Sequence, residues 1–215
     1  MLEQGINPTL VKPRRKRVTV LFSDIVGFSI FAEKLPPSDL IDLVNSHVEV
    51  CANQIDDHGG EVNKLLGDGL LAYFEDRTTD TAIDAARGIL NSMERRRSRA
   101  SKSSPHRLLY GGVGLANGMV YEGNIGSALK RDFTILGNTV NLASRLESLT
   151  RILNVRLTVG ASVVQRSERA EQFQSIGRHQ IKGQSQSLEV FGLKSMAPLK
   201  IEDLYSEIAG YFRRK

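Results

Sequence analysis

Tryptophan is missing from this 215-residue chain, and cysteine occurs once, at Cys51. A lone cysteine excludes an internal disulfide framework and fits a reducing compartment. No apolar run approaches the roughly 20 residues that a membrane-spanning helix needs. The first residues carry Pro13 and a basic cluster where a signal peptide would have an apolar core, so no signal peptide is expected. Aromatic residues make up only 6% of the chain. They are not interleaved with either basic cluster, Lys12 with Arg14–Arg17 or Arg95, Arg96, Arg97, Arg99 with Lys102. Nucleic acid is therefore not expected as a partner, despite a formal net charge of +5. The clusters read as a solvated linker and a solvated helix end, although an anionic membrane surface would also attract the first.

A hydrophobic fraction of 40% with 25% charged residues is ordinary globular composition, and the length suits one substantial core. Residues 1–16, broken by Gly5, Pro8 and Pro13, read as a linker that follows an upstream module. Val18 to Ser23 then has the β-branched and aromatic make-up of a buried strand. It ends on Asp24, with Gly27 and Ser29 just beyond. A carboxylate at a strand mouth beside a glycine turn offers a hard oxygen ligand next to backbone N–H groups, as metal-bound phosphates require. An Asx-type turn explains the same residues without a ligand.

From Pro37 the pattern predicts a helix, with Ser38 as N-cap and Leu40, Ile41, Val44, Val48, Cys51 and Ile55 as its apolar stripe. His47 and His58 have no second ligand at i+4 and read as surface or capping histidines. Gly59-Gly60 ends this helix. Two apolar runs flanking Gly67-Asp68-Gly69 predict a hairpin with Asp68 at its tip and Lys64 on its first arm. Thr79 to about Met93 predicts a second helix, with Ala82, Ile83, Ala86, Ile89, Leu90 and Met93 facing inward. Leu108–Leu115 and Met119–Ile125 predict two strands turning at Asn117-Gly118, with Gly111, Gly112 and Gly114 marking close approach to a ligand or a second subunit. A strand ending at Gly137 leads into a helix to about Leu149. On it Asn141 and Arg145 stand one turn apart, positioned either for a phosphate and a sugar oxygen or simply for solvent. A short strand and helix follow, then a hairpin turning at Lys182-Gly183, and finally a helix from Ile201 to Phe212.

The Val18–Ser29 block, Lys64 with Asp68, the run Asn138 to Arg145, and Lys182-Gly183 occur in one order. Together they resemble the catalytic domain of class III nucleotidyl cyclases, specifically adenylate cyclases, over about residues 17–193. The resemblance implies an α+β, ferredoxin-like or palm-type fold, a mainly antiparallel sheet flanked by helices, with residues 194–215 as a helical extension. It implies a homodimer with active sites between subunits. Asp24 and Asp68, with the Ile25 carbonyl, would hold two divalent cations, Mg²⁺ or Mn²⁺, and the N–H groups of Val26, Gly27, Phe28 and Ser29 would cradle phosphates. The partner would supply Lys64 and Thr134 to the base, Asn141 to the ribose, Arg145 to the α-phosphate and Lys182 to the leaving pyrophosphate.

Lys64 has only donors and suits adenine N1, and the Thr134 hydroxyl can accept from adenine N6, so ATP is the expected substrate. A guanylate cyclase, or a silent nucleotide-binding module, are the alternatives. Gly112 departs from the family pattern, which often has Arg there, and Arg107 is a candidate to replace it. Ser29 stands where Thr is usual. Some Thr-bearing members respond to bicarbonate. The chain is expected to be a cytoplasmic domain, in an intact protein that carries a regulatory module or a membrane tether.

Overall fold

The computed structural model describes residues 12–213 except 76, 128, 183–185 and 200. Strand β1 (Arg14–Ile25) runs through its centre, and its alternation sets the two faces of the sheet. Val18 and Val20 point to one side and Leu21 and Ile25 to the other, and each set joins its own apolar cluster. β1 pairs antiparallel with both β3 (Gly69–Phe74) and β4 (Gly111–Gly126). Among the described residues the sheet order is β2 (Glu61–Leu66), β3, β1, β4, β6 (Leu157–Gly160), β8 (Leu188–Leu193), β7 (Phe173–His179), with β5 (Arg131–Leu136) on the far end of β4. Among the described residues only the β4–β6 pairing is parallel. This is the mainly antiparallel α+β architecture expected.

Helix α1 (Phe28–Phe31) is a single turn after β1. Helices α2 (Pro37–Asp57), α3 (Asp80–Arg99), α5 (Ala161–Arg166) and α6 (Ile201–Arg213) contribute buried residues to the Leu21 and Ile25 cluster. Helix α4 (Asn138–Ile152) covers the other face, with Ala143 and Leu146 packed beside Val18 and Val20. No described helix is long and apolar enough to cross a membrane.

Several expectations need correction. β1 begins at Arg14, inside the segment expected to be linker, because buried Glu122 recruits both Arg14 and Lys16. Burial alone would raise the Glu122 carboxyl, but the hydrogen bonds and charges of Lys16 and Arg14 outweigh it and hold it below the ordinary range. The hairpin at Asn117-Gly118 does not form. β4 runs straight through, paired with β1 from Glu122 to Gly111. There Asn117 Nδ2 donates to Val18 O at 3.1 Å, and a Cβ at Gly118 would lie 2.5 Å from Thr139 Oγ1. The glycines at 111, 112 and 114 admit the chain's own helices rather than a ligand or another subunit. A Cβ at Gly114 would sit 2.2 Å from the Glu147 backbone nitrogen, and one at Gly111 would sit 2.2 Å from Met93 Sδ.

Helix α2 is rotated from its expected stripe: Leu43, His47, Val50 and Cys51 are buried, while Ile41 is 60% exposed. Its N-cap is Pro36 rather than Ser38. The basic end of α3 is not merely solvated. Arg96 pairs with Glu49 at 2.7 Å, and Arg97 reaches Glu207 of α6 at 3.2 Å. The expected turn residue Gly183 lies outside the described residues.

Candidate functional site

β1 ends by delivering Asp24 to the α4 face of the sheet, the same side as Val20 and Phe22. The Ile25 N–H donates to Asp24 Oδ1 at 2.8 Å, which fixes the carboxylate's rotation. The β2–β3 hairpin turns at Gly67, φ +69°, and sets Asp68 against Asp24. A Cβ at Gly69 would meet the Ser23 carbonyl at 3.3 Å, so the turn lies close on β1. Gly27, φ +81°, then reverses the chain into α1. Together Asp24, Ile25, Val26, Gly27, Phe28, Ser29 and Asp68 line a pocket of about 270 Å³, which Arg151, Ile201 and Tyr205 help to close.

The electrostatics of this pocket call for a cation. Asp68 Oδ2 is buried without a hydrogen-bond partner. Burial, followed by the hydrogen bond and charge of the adjoining Asp24, pushes the Asp68 carboxyl well above the ordinary range. Two carboxylates as hard oxygen donors, one of them with an orphaned buried oxygen, suit Mg²⁺ or Mn²⁺ rather than a thiophilic metal. Among the described residues no group of three or more His, Cys, Asp and Glu side chains forms a metal site. Further ligands to a cation here would therefore come from backbone, such as the Ile25 carbonyl, and from a bound molecule or solvent.

The phosphate cradle is narrower than expected. The Val26 N–H already donates to Tyr110 O at 2.7 Å, so it cannot also meet a phosphate. The N–H groups of Phe28 and Ser29 open α1 and have no acceptor within it.

The structure does not bring the other expected residues into this pocket. Lys64 follows a bulge in the edge strand β2 and is half-buried. Thr134 is buried on β5, and its hydroxyl donates to Asn63 Oδ1 at 2.8 Å. Asn141 is exposed and Arg145 half-buried on α4, and Lys182 is exposed just beyond β7. Arg107 does not replace a missing arginine at Gly112: it donates to Glu207 Oε1 at 3.0 Å, on α6.

Sequence reasoning missed Arg151 and Tyr205. The Glu147–Arg151 spacing of i, i+4 was a readable signal for an ion pair, but not for its proximity to Asp24. Arg151 Nη2 donates to Asp24 Oδ2 at 2.9 Å.

A family model described as the adenylate and guanylate cyclase catalytic domain matches residues 10–195. An adenylate cyclase of Anabaena cylindrica is 29% identical over 187 residues, which cover 84% of this chain and 37% of that protein. A bacterial light-regulated adenylyl cyclase of known structure superposes with a TM-score of 0.89 at 36% identity, over 97% of this chain and 61% of that one. The guanylyl cyclase Cya2 shares the fold, with a TM-score of 0.73 at 21% identity over 87% of this chain and 96% of that one. The chain thus spans 37% and 61% of the two adenylate cyclases it resembles.

Proposed function

The chain belongs to the family of adenylate and guanylate cyclase catalytic domains, and on that premise we propose that it converts ATP to 3′,5′-cyclic AMP and pyrophosphate at sites shared between two copies. The observation that carries this reading is the Asp24–Asp68 pair, abutting beside the Gly27 turn with a buried oxygen that has no partner. In this reading the two carboxylates and the Ile25 carbonyl hold two divalent cations. When bound, such cations neutralise the triphosphate and polarise the oxygens around the α-phosphorus. The Phe28 and Ser29 N–H groups bind phosphate oxygens. The ribose 3′-oxygen forms a bond to the α-phosphorus, the bond to the bridging oxygen of the leaving pyrophosphate breaks, and the 3′-hydroxyl proton goes to solvent.

The second copy follows from what the pocket lacks. Lys64, Arg145 and Lys182, the cations that the family resemblance assigns to nucleotide, do not line it. A partner supplies them, with Asn141 orienting the ribose and Arg145 meeting the charge that grows on the α-phosphate. Apolar side chains left exposed on β2 and on the β4–β5 hairpin favour the same reading. Leu65 is 55% exposed, Tyr121 61% and Leu136 49%, and a second copy would remove them from water. The family relatives are longer proteins, and an upstream regulatory module is the expected neighbour of this domain.

The choice of base rests on hydrogen-bond polarity. The Thr134 proton is committed to Asn63, so the hydroxyl offers lone pairs, which match the adenine N6 amino group and oppose the guanine O6 acceptor. Lys64 offers donors only, which match adenine N1.

Turnover of ATP and GTP with Mn²⁺, read by separation of the cyclic nucleotides, tests the proposal. Cyclic AMP formation, with ATP preferred over GTP, is the expected result. Nucleotide binding without cyclisation would make this a silent module, and faster GTP turnover would overturn the base assignment.

A further inference from the structure

Gly112 stands directly opposite Asp24 in the β1–β4 ladder. A Cβ at that position would come within 2.8 Å of both Glu147 Oε1 and Thr150 Oγ1. The last turns of α4 therefore rest on bare backbone there, and this close seat brings Arg151 to the mouth of the pocket. One edge of its guanidinium is held by Glu147, with Nη1 3.4 Å from Oε2 and Nη2 3.3 Å from Oε1. Its Nη2 also meets Asp24 Oδ2. The Arg151 side chain is still 32% exposed, and it is the one cationic side chain among the described residues that line the pocket.

We propose that Arg151 is a phosphate-binding residue contributed by the same subunit as Asp24, and that its contact with Asp24 holds the place of a nucleotide's triphosphate. The inference rests on the cyclase reading given above. Four features carry it. Divalent cations on the two carboxylates would leave part of a triphosphate's charge uncancelled, and a further cation on the same wall offsets the remainder. Arginine's planar fork matches phosphate oxygens in a way a point charge does not. The Asp24 carboxylate cannot bind a divalent cation and keep its full contact with a guanidinium, so occupation of the carboxylates releases Arg151. Finally, Glu147 is 4% exposed and remains bound to the guanidinium, so the released side chain stays within reach of the pocket.

The test uses the full chain and the variants Arg151→Ala and Arg151→Lys, and reads binding as well as turnover. Mn²⁺ alone is titrated by electron paramagnetic resonance. Inorganic tripolyphosphate and 3′-deoxy-ATP, which cannot cyclise, are titrated by calorimetry in saturating Mn²⁺. Arg151→Ala is expected to bind Mn²⁺ at least as tightly as the native chain, and to bind tripolyphosphate and 3′-deoxy-ATP about 10- to 100-fold more weakly, the loss typical of a charge-assisted hydrogen bond. Arg151→Lys is expected to recover part of that loss. If the Ala variant does not fold, Arg151→Gln carries the same expectations.

A parallel loss of Mn²⁺ and phosphate affinity would show that Arg151 only orients Asp24, and unchanged phosphate affinity would also overturn the proposal. The cyclase reading fails separately. A native chain that shows the expected binding pattern but forms no cyclic nucleotide would lose that reading and keep the phosphate assignment.

Discussion

At the scale of single residues, adjacent positions on β1 do opposite things. Asp24 faces the pocket, while Ser23 points through the other side of the sheet to α2. There His47 is fully buried, its Nε2 2.9 Å from Ser23 Oγ and 3.3 Å from Cys51 Sγ. A surface histidine was expected, but the polar trio is sealed inside the core. Burial pushes the His47 imidazole down to about 4, against the opposing pull of Asp24 and the Asp68 backbone, and pushes the Cys51 thiol up to about 12. An unfolded histidine takes its proton near pH 6.5, whereas the folded one refuses it until about pH 4. The unfolded chain therefore binds more protons in this window. The contribution to stability is complete above pH 6.5 and falls away as pH drops toward 4, by up to ~3 kcal/mol. Urea denaturation at a series of pH values should show that slope in the native chain, and a flatter one in His47→Gln. Equal slopes would mean that His47 is not the group responsible.

At the scale of elements, α6 matters more than an appended extension would. It lies beyond the residues that the family model matches, yet Leu204 and Ile208 pack on the Gly27 turn, 3.6 and 3.4 Å from where a Cβ would stand. Glu207 accepts from Arg107 at 3.0 Å and from the Tyr110 hydroxyl at 2.9 Å, and the Tyr110 carbonyl in turn holds the Val26 N–H. The helix thus braces the Gly27 turn from two directions. Leu204 is fully buried, so Leu204→Ala should cost about 2–5 kcal/mol in urea denaturation. Cyclase activity of the protein that remains folded should also fall, because the turn loses its support. Full activity per folded molecule would confine α6 to stability alone.

At the scale of the whole molecule, one chain carries both halves of the proposed site but does not join them. Asp24 and Asp68 share a pocket that Asn141, Arg145, Lys64 and Lys182 do not line. Asp24→Ala and Arg145→Ala should each be inactive as homodimers. Mixed in equal amounts, they should regain about a quarter of native activity, since half the dimers would be mixed and each would hold one intact site. A mixture as silent as its parents would refute shared sites. Specific activity should also rise with protein concentration over the range in which dimers form, and sedimentation on the same samples would locate that range.

Much of this could be read from the sequence by itself. The buried composition of β1, the Gly67-Asp68-Gly69 turn, the inward stripe of α3 and the order of the cyclase-like motifs are local signals, and each survived folding because its neighbours in space agree with it. Local signals failed where long-range pairing outweighed them. Asn117-Gly118 has the chemistry of a hairpin turn, but an unbroken ladder with β1 and the close seat of α4 keep it extended. The α2 stripe rotated because a Ser23–His47 pair could be satisfied inside the core, which periodicity does not reveal. Tertiary structure alone decided that Arg151 meets Asp24, 127 residues away. That contact needs bare backbone at Gly112 for α4 to rest on, a buried Glu147 to hold the guanidinium, and a sheet that brings both to the mouth of one pocket.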